Sequence, residues 1–418
     1  MKIALIGLGR SGLSVYKYLK QNTEDTVYLV NSGRPNEWPC FDIIKDDLDR
    51  AFSDEIAIKE LGAVDQIVLS PGIPRDHIAL TFALKNSVPI ISEIEFAFLH
   101  SDIPVVGITG TNGKTTTTTM IGDFLNQLAI KAFVGGNIGI PYTDILSAKV
   151  KYEVAIIELS SFQLESIDTF KPTISLLLNV SENHMERYKS FSDYKAAKER
   201  IFLNQDADCF AIVNKVENRI PKEIEIKPLE NFSFEKSKLV GVHNKLNFFC
   251  AYNAAKLLTN KNIDKEFQQF IDNFTGVEFR LQYICEKNGI TFYNDAKSTN
   301  TDATASAINA FNFKENLSII IGGKLRDDKI TIQNEIDFSP LQTVYCFGEA
   351  RDLLSKNIKS SNTKNFETLD QVFEDLLKNK TQGIVLFSPG FPSFDQYKNY
   401  EHRGQHFNKL CTVLKETH

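Results

Sequence analysis

Several features that would assign the protein to a class are missing from its sequence. No apolar run approaches the roughly 20 residues that a membrane-spanning helix needs. The net charge is −6 and no long basic run is present, which argues against nucleic acid or a membrane surface as the partner. The six cysteines form no C-x-x-C pair, so we expect them to be reduced and mostly buried. No signal-peptide pattern opens the chain, and we therefore expect a cytoplasmic protein.

What is present is an ordinary globular composition over 418 residues, with 42% hydrophobic and 24% charged residues. This length predicts two or three domains of about 100–200 residues each. Predicted strands and helices alternate along the chain, which is typical of α/β folds with open, mostly parallel sheets. Changes of pattern near Ser92 and Val277 predict three domains, at residues 1–92, 93–276 and 277–418.

The strongest functional pattern begins with the apolar run Ile103–Ile108, which predicts a buried parallel strand. A glycine turn and a helical pattern follow it. A helix N-terminus binds phosphate through backbone N–H groups and the helix dipole, and a lysine adds a full charge. The usual P-loop spacing requires glycine at position 108, where this chain has isoleucine, so the loop is a variant. The residues predicted to bind the triphosphate are Gly110, Thr111, Asn112, Gly113, Lys114, Thr115 and Thr116.

A second glycine turn, Gly7–Gly12, follows the predicted strand Ile3–Ile6. Its G-x-G-x-x-G spacing matches the dinucleotide-binding fingerprint, but NAD sites usually carry Asp or Glu at the end of the next strand. That position is held by Asn31, so we favour a diphosphate of another kind over a redox cofactor. A turn that only packs a helix on a strand is the structural alternative.

Polar residues follow several other predicted strands, at the edge where α/β sheets bind ligands. Glu158 ends a buried strand beside the P-loop strand, the usual place for an acid that holds Mg²⁺. His184 also lies just past a strand, and a ligand role and a structural role are both open for it. Asn244 and Asn247 share one face at the start of a helix, where they either face a nucleotide or cap the helix.

Taken together, these motifs resemble the Mur ligase family, ATP-dependent amide-bond-forming enzymes of bacterial cell-wall synthesis. The motifs that carry the resemblance are Gly110–Thr115, Gly135–Gly139, Glu158–Leu164 and His243–Asn247. Two others, Ser70–Ile73 and Ser393–Gly404, resemble the member that adds D-glutamate to UDP-N-acetylmuramoyl-L-alanine. The resemblance implies a three-domain α/β architecture: a Rossmann-like N-terminal domain, a central P-loop ATPase domain and a Rossmann-like C-terminal domain.

The resemblance also implies the reaction and its cofactors. ATP would phosphorylate the alanine carboxylate, the amine of D-glutamate would attack the acyl phosphate, and ADP and phosphate would leave. The implied catalytic residues are Lys114, His184 and Lys198. Two Mg²⁺ ions would be held by Thr115, Glu158, His184 and a carbamylated Lys198. The only partners implied are the two substrates, without nucleic acid or membrane, and a monomer is expected.

By the same resemblance, three groups of residues contact the substrates. Beyond the P-loop, ATP would contact Asn244, Asn247, Arg280 and Asp295. The UDP-linked substrate would contact Gly9, Arg10, Ser11, Asn31, Ser32, Ser70, Pro71, Gly72 and Asn137. D-Glutamate would contact Lys297, Thr299, Arg326, Ser393 and Tyr400.

Four positions depart from the family pattern. Phe279 stands where histidine is usual, and Gln282 replaces a usual glutamate. Arg326 occupies a position where lysine commonly binds the glutamate side chain, and Tyr400 one where phenylalanine is frequent. Because arginine can bind a carboxylate through two parallel hydrogen bonds, Arg326 predicts altered geometry rather than loss of the contact.

Other functions are open at the level of sequence. An L-alanine-adding ligase or a folylpolyglutamate synthase would share the ATP motifs, but Gly7–Gly12 disfavours the folate enzyme. The motifs Ser70–Ile73 and Asp395–Asn399 disfavour the alanine enzyme. An NAD-binding oxidoreductase is suggested by the first glycine turn and disfavoured by Asn31. A non-catalytic nucleotide sensor would not need the predicted metal-binding set.

Overall fold

The computed structural model describes residues 1–61, 64–74, 76–182, 187–217, 219–220, 222–311, 316–325, 336–358, 362–379 and 382–416. The chain divides into two compact units. The first comprises Met1–Leu229 with Leu246–Ile263, and the second comprises Glu230–Lys245 with Asp264–His418. The first unit contains two parallel sheets and the second contains a mixed sheet. Helices alternate with the strands throughout, which confirms the predicted α/β fold class.

The first sheet has the strand order β3-β2-β1-β4-β5, and its pairs are parallel. Its strands are β1 (Lys2–Ile6), β2 (Thr26–Asn31), β3 (Ala51–Ser53), β4 (Gln66–Leu69) and β5 (Ile90–Ser92). The helices of this part are α1 (Arg10–Asn22), α2 (Phe41–Ile44), α3 (Asp54–Leu61), α4 (Ile78–Lys85) and α5 (Glu93–Leu99). The order of the strands reverses between β1 and β4, so the loops after these strands border the usual ligand crevice of a doubly wound sheet.

The second sheet has the order β11-β10-β9-β6-β8-β7 and is also parallel. Its strands are β6 (Val105–Thr109), β7 (Ala132–Gly136), β8 (Val154–Glu158), β9 (Ile174–Leu177), β10 (Phe210–Val213) and β11 (Glu223–Glu225). The helices are α6 (Lys114–Gln127), α7 (Ser161–Leu164), α8 (Phe191–Glu199) and α9 (His243–Thr259). All residues of β6, β8 and β9 are buried, because a parallel sheet of this kind is covered on both faces.

The sheet of the second unit has the order β12-β13-β17-β14-β15-β16, and only its β12–β13 pair is antiparallel among the described strands. Its strands are β12 (Gln282–Lys287), β13 (Ile290–Asn294), β14 (Leu317–Gly322), β15 (Thr343–Phe347), β16 (Thr363–Asn365) and β17 (Gly383–Gly390). The helices are α10 (Asp264–Asn273), α11 (Thr301–Asn309), α12 (Arg351–Asn357), α13 (Leu369–Asn379) and α14 (Tyr400–Glu416). Two apolar clusters, one on each side of β14, form its core.

Two expectations from composition can be compared with the fold. All six cysteines are buried and unpaired, which confirms that they serve as small apolar side chains. Within the described part of the chain, no helix has both the length and the apolar character needed to cross a bilayer.

Candidate active site

The predicted phosphate-binding loop joins the end of β6 to the start of α6. Gly113 precedes the helix with a φ of +84°, and a Cβ built on it would lie 2.8 Å from Asn247 Oδ1, so glycine is required there. Thr117 of α6 donates through Oγ1 to the same Asn247 oxygen at 3.3 Å. The structure therefore brings one of the two predicted asparagines, from α9, against the loop.

Two lysine amines meet at one carbonyl of this loop. Lys114 Nζ donates to the carbonyl oxygens of Gly110 and Thr111, each at 2.9 Å, and Lys198 Nζ donates to that of Gly110 at 2.9 Å. Only 2% of Lys198 is exposed. Burial, followed by the positive charge of Lys114, lowers the pKa of Lys198 to about 7. A substantial fraction of this residue is therefore a neutral amine at physiological pH.

Glu158 brings a buried carboxylate to the start of α6. It ends β8 and is 2% exposed. Its Oε2 accepts a hydrogen bond from Thr115 Oγ1, and its Oε1 accepts one from Asn137 Nδ2, both at 2.8 Å. A carboxylate and a hydroxyl beside a phosphate-binding helix are the oxygen donors that Mg²⁺ prefers, so these side chains fit the predicted metal. Within the described ranges no three His, Cys, Asp or Glu side chains cluster, and the predicted ligand His184 lies outside them.

Two residues outside the predicted site sets hold the P-loop, one just past strand β9 and one from α8. Asn179, just past this strand, accepts the Asn112 N–H at Oδ1 (2.9 Å) and donates from Nδ2 to the Asn112 carbonyl (3.1 Å). Tyr194 of α8 shares a hydrogen bond with the Thr111 hydroxyl at 3.2 Å, and its ring lies 4.6 Å from Lys198 Nζ. A polar residue directly after a buried strand was the available signal for Asn179. For Tyr194 the signal was its spacing of four residues from Lys198, which places both on one face of a helix.

In the first glycine turn, Gly7 and Gly12 are closely packed, whereas Gly9 borders open space. Gly7 has a φ of +87° and accepts a 2.6 Å hydrogen bond from Ser70 Oγ at its carbonyl. A Cβ on Gly12 would lie 2.1 Å from that carbonyl oxygen, so this glycine permits α1 to approach the strand closely. A Cβ on Gly9 would meet no atom within 4 Å. The turn therefore has a structural role, and it also leaves open space at the glycine that dinucleotide folds place against a phosphate.

Several other residues predicted for the UDP-linked substrate lie beside this turn, whereas Asn137 contacts Glu158 beside the P-loop. Asn31 accepts the Leu8 N–H through Oδ1 at 3.4 Å, and the Ser32 hydroxyl donates to Asp54 at 2.8 Å. Arg10 and Ser11 begin α1. A cleft of about 590 Å³ borders this region. Its lining includes the predicted residues Ser70 and Pro71 on one wall and Phe162, Gln163, Glu165 and Arg187 on the other.

In the second unit, Asp295 is a buried carboxylate at the end of β13. It accepts hydrogen bonds from the hydroxyls of Ser298 (2.5 Å) and Ser388 (2.7 Å) and from the Leu281 N–H (3.1 Å). Burial raises the pKa of Asp295 to about 6. Arg280, also predicted to contact ATP, is exposed one residue before Leu281. The carboxylate of Asp295 thus contacts the residue next to Arg280, the other predicted ATP contact in this unit.

The predicted D-glutamate residues also lie in the second unit. Lys297 Nζ is 5.7 Å from the centroid of the Tyr400 ring. Ser393 is 2% exposed, and Thr299 is half-buried in the loop before α11. Arg326 lies outside the described residues. Asn244, at the start of α9, donates from Nδ2 to the carbonyl of Val240 at 2.6 Å.

Comparisons with known proteins cover nearly the whole chain. The Mur ligase middle domain matches residues 108–288, and the Mur ligase MurD-like N-terminal domain matches residues 1–92. A UDP-N-acetylmuramoylalanine–D-glutamate ligase of Koribacter versatilis is 32% identical, over 99% of this chain and 98% of the relative. The same name and identity apply to a relative from Citrifermentans bemidjiense, with the same coverage. The crystal structure of the UDP-N-acetylmuramate–alanine ligase of Thermotoga maritima shares the fold, with a TM-score of 0.55, 18% identity and 99% coverage of both chains.

Proposed function

The chain belongs to the Mur ligase family, and from this we propose that it joins D-glutamate to UDP-N-acetylmuramoyl-L-alanine, with ATP converted to ADP and phosphate. The reaction would serve peptidoglycan precursor synthesis in the cytoplasm, and the protein would act as a monomer without nucleic acid or membrane. We also propose that residues 1–92 bind the UDP-linked substrate, 93–276 bind ATP and 277–418 bind the amino acid.

The observation that best supports this proposal is the contact between the P-loop and a buried acid. Lys114 begins α6, and the next residue, Thr115, donates to the buried Glu158. A helix N-terminus with a lysine binds phosphate oxygens, and the adjoining carboxylate adds the oxygen ligand that a phosphate-bound metal requires. This pairing suits phosphoryl transfer rather than mere storage of a nucleotide.

The chemistry explains why such a site is needed. A carboxylate is a poor electrophile, because attack on it would have to expel oxide. In the proposed reaction, an oxygen of the alanine carboxylate forms a bond to the γ-phosphorus of ATP, and the bond from that phosphorus to ADP breaks. The deprotonated amine of D-glutamate then attacks the acyl carbon, the C–O bond to phosphate breaks, and the proton that the nitrogen loses passes to phosphate or solvent. Lys114 would offset the negative charge that gathers when a triphosphate meets a carboxylate.

The proposed metal site uses Thr115, Glu158, His184 and Lys198. Bound Mg²⁺ would neutralise phosphate charge and orient the reacting oxygens. The buried, partly neutral amine of Lys198 can attack CO₂, forming an N–C bond and releasing a proton, and the resulting carbamate is an anion. A carbamate supports a nearby cation, whereas an ammonium at the same place would repel it.

Substrate contacts follow the sets predicted from the family. For ATP we propose Gly110, Thr111, Asn112, Gly113, Lys114, Thr115, Thr116, Asn244, Asn247, Arg280 and Asp295. For the UDP-linked substrate we propose Gly9, Arg10, Ser11, Asn31, Ser32, Ser70, Pro71, Gly72 and Asn137. For D-glutamate we propose Lys297, Thr299, Arg326, Ser393 and Tyr400.

Phosphate release tests the assignment. With Mg-ATP and UDP-N-acetylmuramoyl-L-alanine present, we expect phosphate only when D-glutamate is added. Equal turnover with L-glutamate or L-alanine would reject the amino-acid assignment while leaving the ligase class intact. NAD should neither bind nor protect the protein against heating.

A further inference from the structure

Residues 277–282 form a turn with an unusual backbone, in which the proposed function uses only Arg280. The two residues beside it, Phe279 and Leu281, have φ angles of +61° and +43°. Side chains other than that of glycine are strained at such angles, and strained residues of this kind concentrate at functional sites. Because neither residue is glycine, the contacts around the turn must hold it in place.

Two backbone contacts join this turn to residues proposed to bind substrates. The Leu281 N–H donates to Asp295 Oδ1 at 3.1 Å, and the Lys297 N–H donates to the Phe279 carbonyl at 3.1 Å. Asp295 belongs to the proposed ATP contacts and Lys297 to the proposed D-glutamate contacts. One short turn therefore touches both sets.

Two side chains hold the turn in this conformation. Gln282, the first residue of β12, accepts the Phe279 N–H at its Oε1 with a distance of 3.3 Å. Phe279 is 5% exposed, and its ring meets the Tyr400 ring edge-on, with centroids 6.3 Å apart. It also fills the space beside Gly404, where a Cβ would lie 2.3 Å from Phe279 Cδ1. Phe279 is thus fixed at its amide by Gln282 and at its ring by α14.

We infer that Gln282 and Phe279 are positioning residues that hold Arg280 and Lys297 in one arrangement, so that ATP and D-glutamate binding depend on the same turn. The inference rests on the proposed function. It also gives a role to two of the positions at which the chain departs from the family pattern. The amide oxygen of Gln282 supplies an acceptor for Phe279, and the Phe279 ring supplies packing for Tyr400.

The replacement Gln282→Leu tests this role, because it removes the acceptor and keeps most of the volume. We expect the KM for D-glutamate and the KM for ATP each to rise about fivefold, the effect of one lost hydrogen bond. The KM for the UDP-linked substrate should stay within about twofold of wild type. Gln282→Glu, which retains an oxygen acceptor, should restore both affected KM values.

Gln268→Leu provides the matched control in the same unit. Gln268 Oε1 accepts the Ser233 N–H at 2.9 Å, the same kind of contact, in a loop that holds no proposed substrate residue. Its Nε2 also donates to the Ser233 carbonyl and to Asp272, so this replacement removes more hydrogen bonds than Gln282→Leu does. The loss of these contacts should lower the melting temperature without changing either KM. If Gln282→Leu behaves in the same way, the turn is only structural and the inference is wrong. A rise in one KM alone also contradicts it, since a shared turn must affect both.

A binding measurement separates failure of the inference from failure of the proposed function. Calorimetry with a non-hydrolysable ATP analogue and Mg²⁺ needs no turnover. If the wild type binds the analogue but consumes no D-glutamate, the proposed function fails. In that case, a fivefold weaker affinity in Gln282→Leu would still support the turn as a positioning element, and an unchanged affinity would overturn it.

Discussion

The two glycine turns of the first unit have the same local architecture and differ in charge. Gly7–Gly12 joins β1 to α1, and Gly110–Gly113 joins β6 to α6. Both turns lie where the strand order of their sheet reverses, which is where α/β sheets bind ligands. In both turns a glycine with positive φ lets the backbone turn sharply into a helix N-terminus. Backbone geometry alone therefore predicts an anion site at each turn.

The neighbouring side chains separate the two sites. At the first turn, α1 begins with the exposed Arg10, and the adjacent strand ends in the neutral Asn31. At the second, α6 begins with Lys114, which is tied to the loop carbonyls, and the adjacent strand ends in the buried Glu158. In the proposed function, the first arrangement binds a diphosphate that does not react, and the second places fixed charges beside the phosphoryl group that is transferred.

Lys114→Ala should have the largest effect, because it removes the cation that the second turn holds in place. We expect kcat to fall by about 10²–10³ or more, the usual consequence of removing one preorganised charge from such a transition state. Arg10→Ala should instead raise the KM for the UDP-linked substrate and leave kcat near that of the wild type. Steady-state kinetics of the two variants, with circular dichroism to check folding, compare the turns directly. Retention of more than a tenth of the wild-type kcat in Lys114→Ala would show that this loop is not the phosphate site.

Replacements of Lys198 test the proposed carbamate. Lys198→Ala should fold and lose about 10–100-fold in activity, as when the support of a metal ligand is removed. A high concentration of acetate should restore part of that activity. Lys198→Glu should be more active than Lys198→Arg, although arginine keeps the charge of the unmodified residue. The opposite order would mean that Lys198 acts as an ordinary cation.

The pKa of Lys198 also predicts how stability changes with pH. Burial lowers this pKa from 10.5 to about 7, so between these values the unfolded chain binds more protons than the folded chain. The contribution of Lys198 to the free energy of unfolding must therefore rise with pH across this window. In CO₂-free buffer, Lys198→Met should be more stable than wild type near pH 7, and the difference should shrink toward about pH 10. Urea titrations measure it, and a difference that does not depend on pH would contradict the prediction.

Two glycine replacements in the first turn complete the comparison. Gly9→Ala should have the smallest kinetic effect, and Gly9→Ala and Gly12→Ala should differ strongly in the free energy of unfolding. Gly9→Ala adds a Cβ in open space, so stability should change by less than ~0.5 kcal/mol. If a phosphate lies there, the KM for the UDP-linked substrate should rise about fivefold, or ~1 kcal/mol. Gly12→Ala should destabilise the fold strongly, because its Cβ would overlap the Gly7 carbonyl. An unchanged KM in Gly9→Ala would favour the purely structural interpretation of the turn.

The sequence predicted the parts of the fold that are governed by local pattern. The apolar run Ile103–Ile108 indicated β6, and the strand predicted at Ile3–Ile6 agrees with β1. The edge strands β3 and β16 were not predicted. Each has three residues and no continuous apolar run, since an edge strand of this kind is only partly covered.

Local sequence patterns could not predict contacts between distant parts of the chain. The sequence indicated Lys114 and Glu158, because each stands at a strand end or helix start. It did not indicate that Asn179 holds the loop or that the Tyr194 hydroxyl contacts that of Thr111. The positive φ of Phe279 was equally inaccessible, because its ring packs against residues far along the chain while its amide is bound by Gln282. Roles for the proposed site residues stay predictions until the experiments above are done.

Oxygen transfer from substrate to phosphate tests the central claim most directly, namely that the second turn activates a carboxylate. The acceptor would carry ¹⁸O in the alanine carboxylate, and the phosphate released with ATP and D-glutamate would be analysed by mass spectrometry. If an acyl phosphate forms, each released phosphate must carry one ¹⁸O atom. The oxygen that links carbon to phosphorus comes from the carboxylate, and it stays with phosphorus when the C–O bond breaks. Unlabelled phosphate would contradict the account, since it would mean that water had cleaved ATP directly.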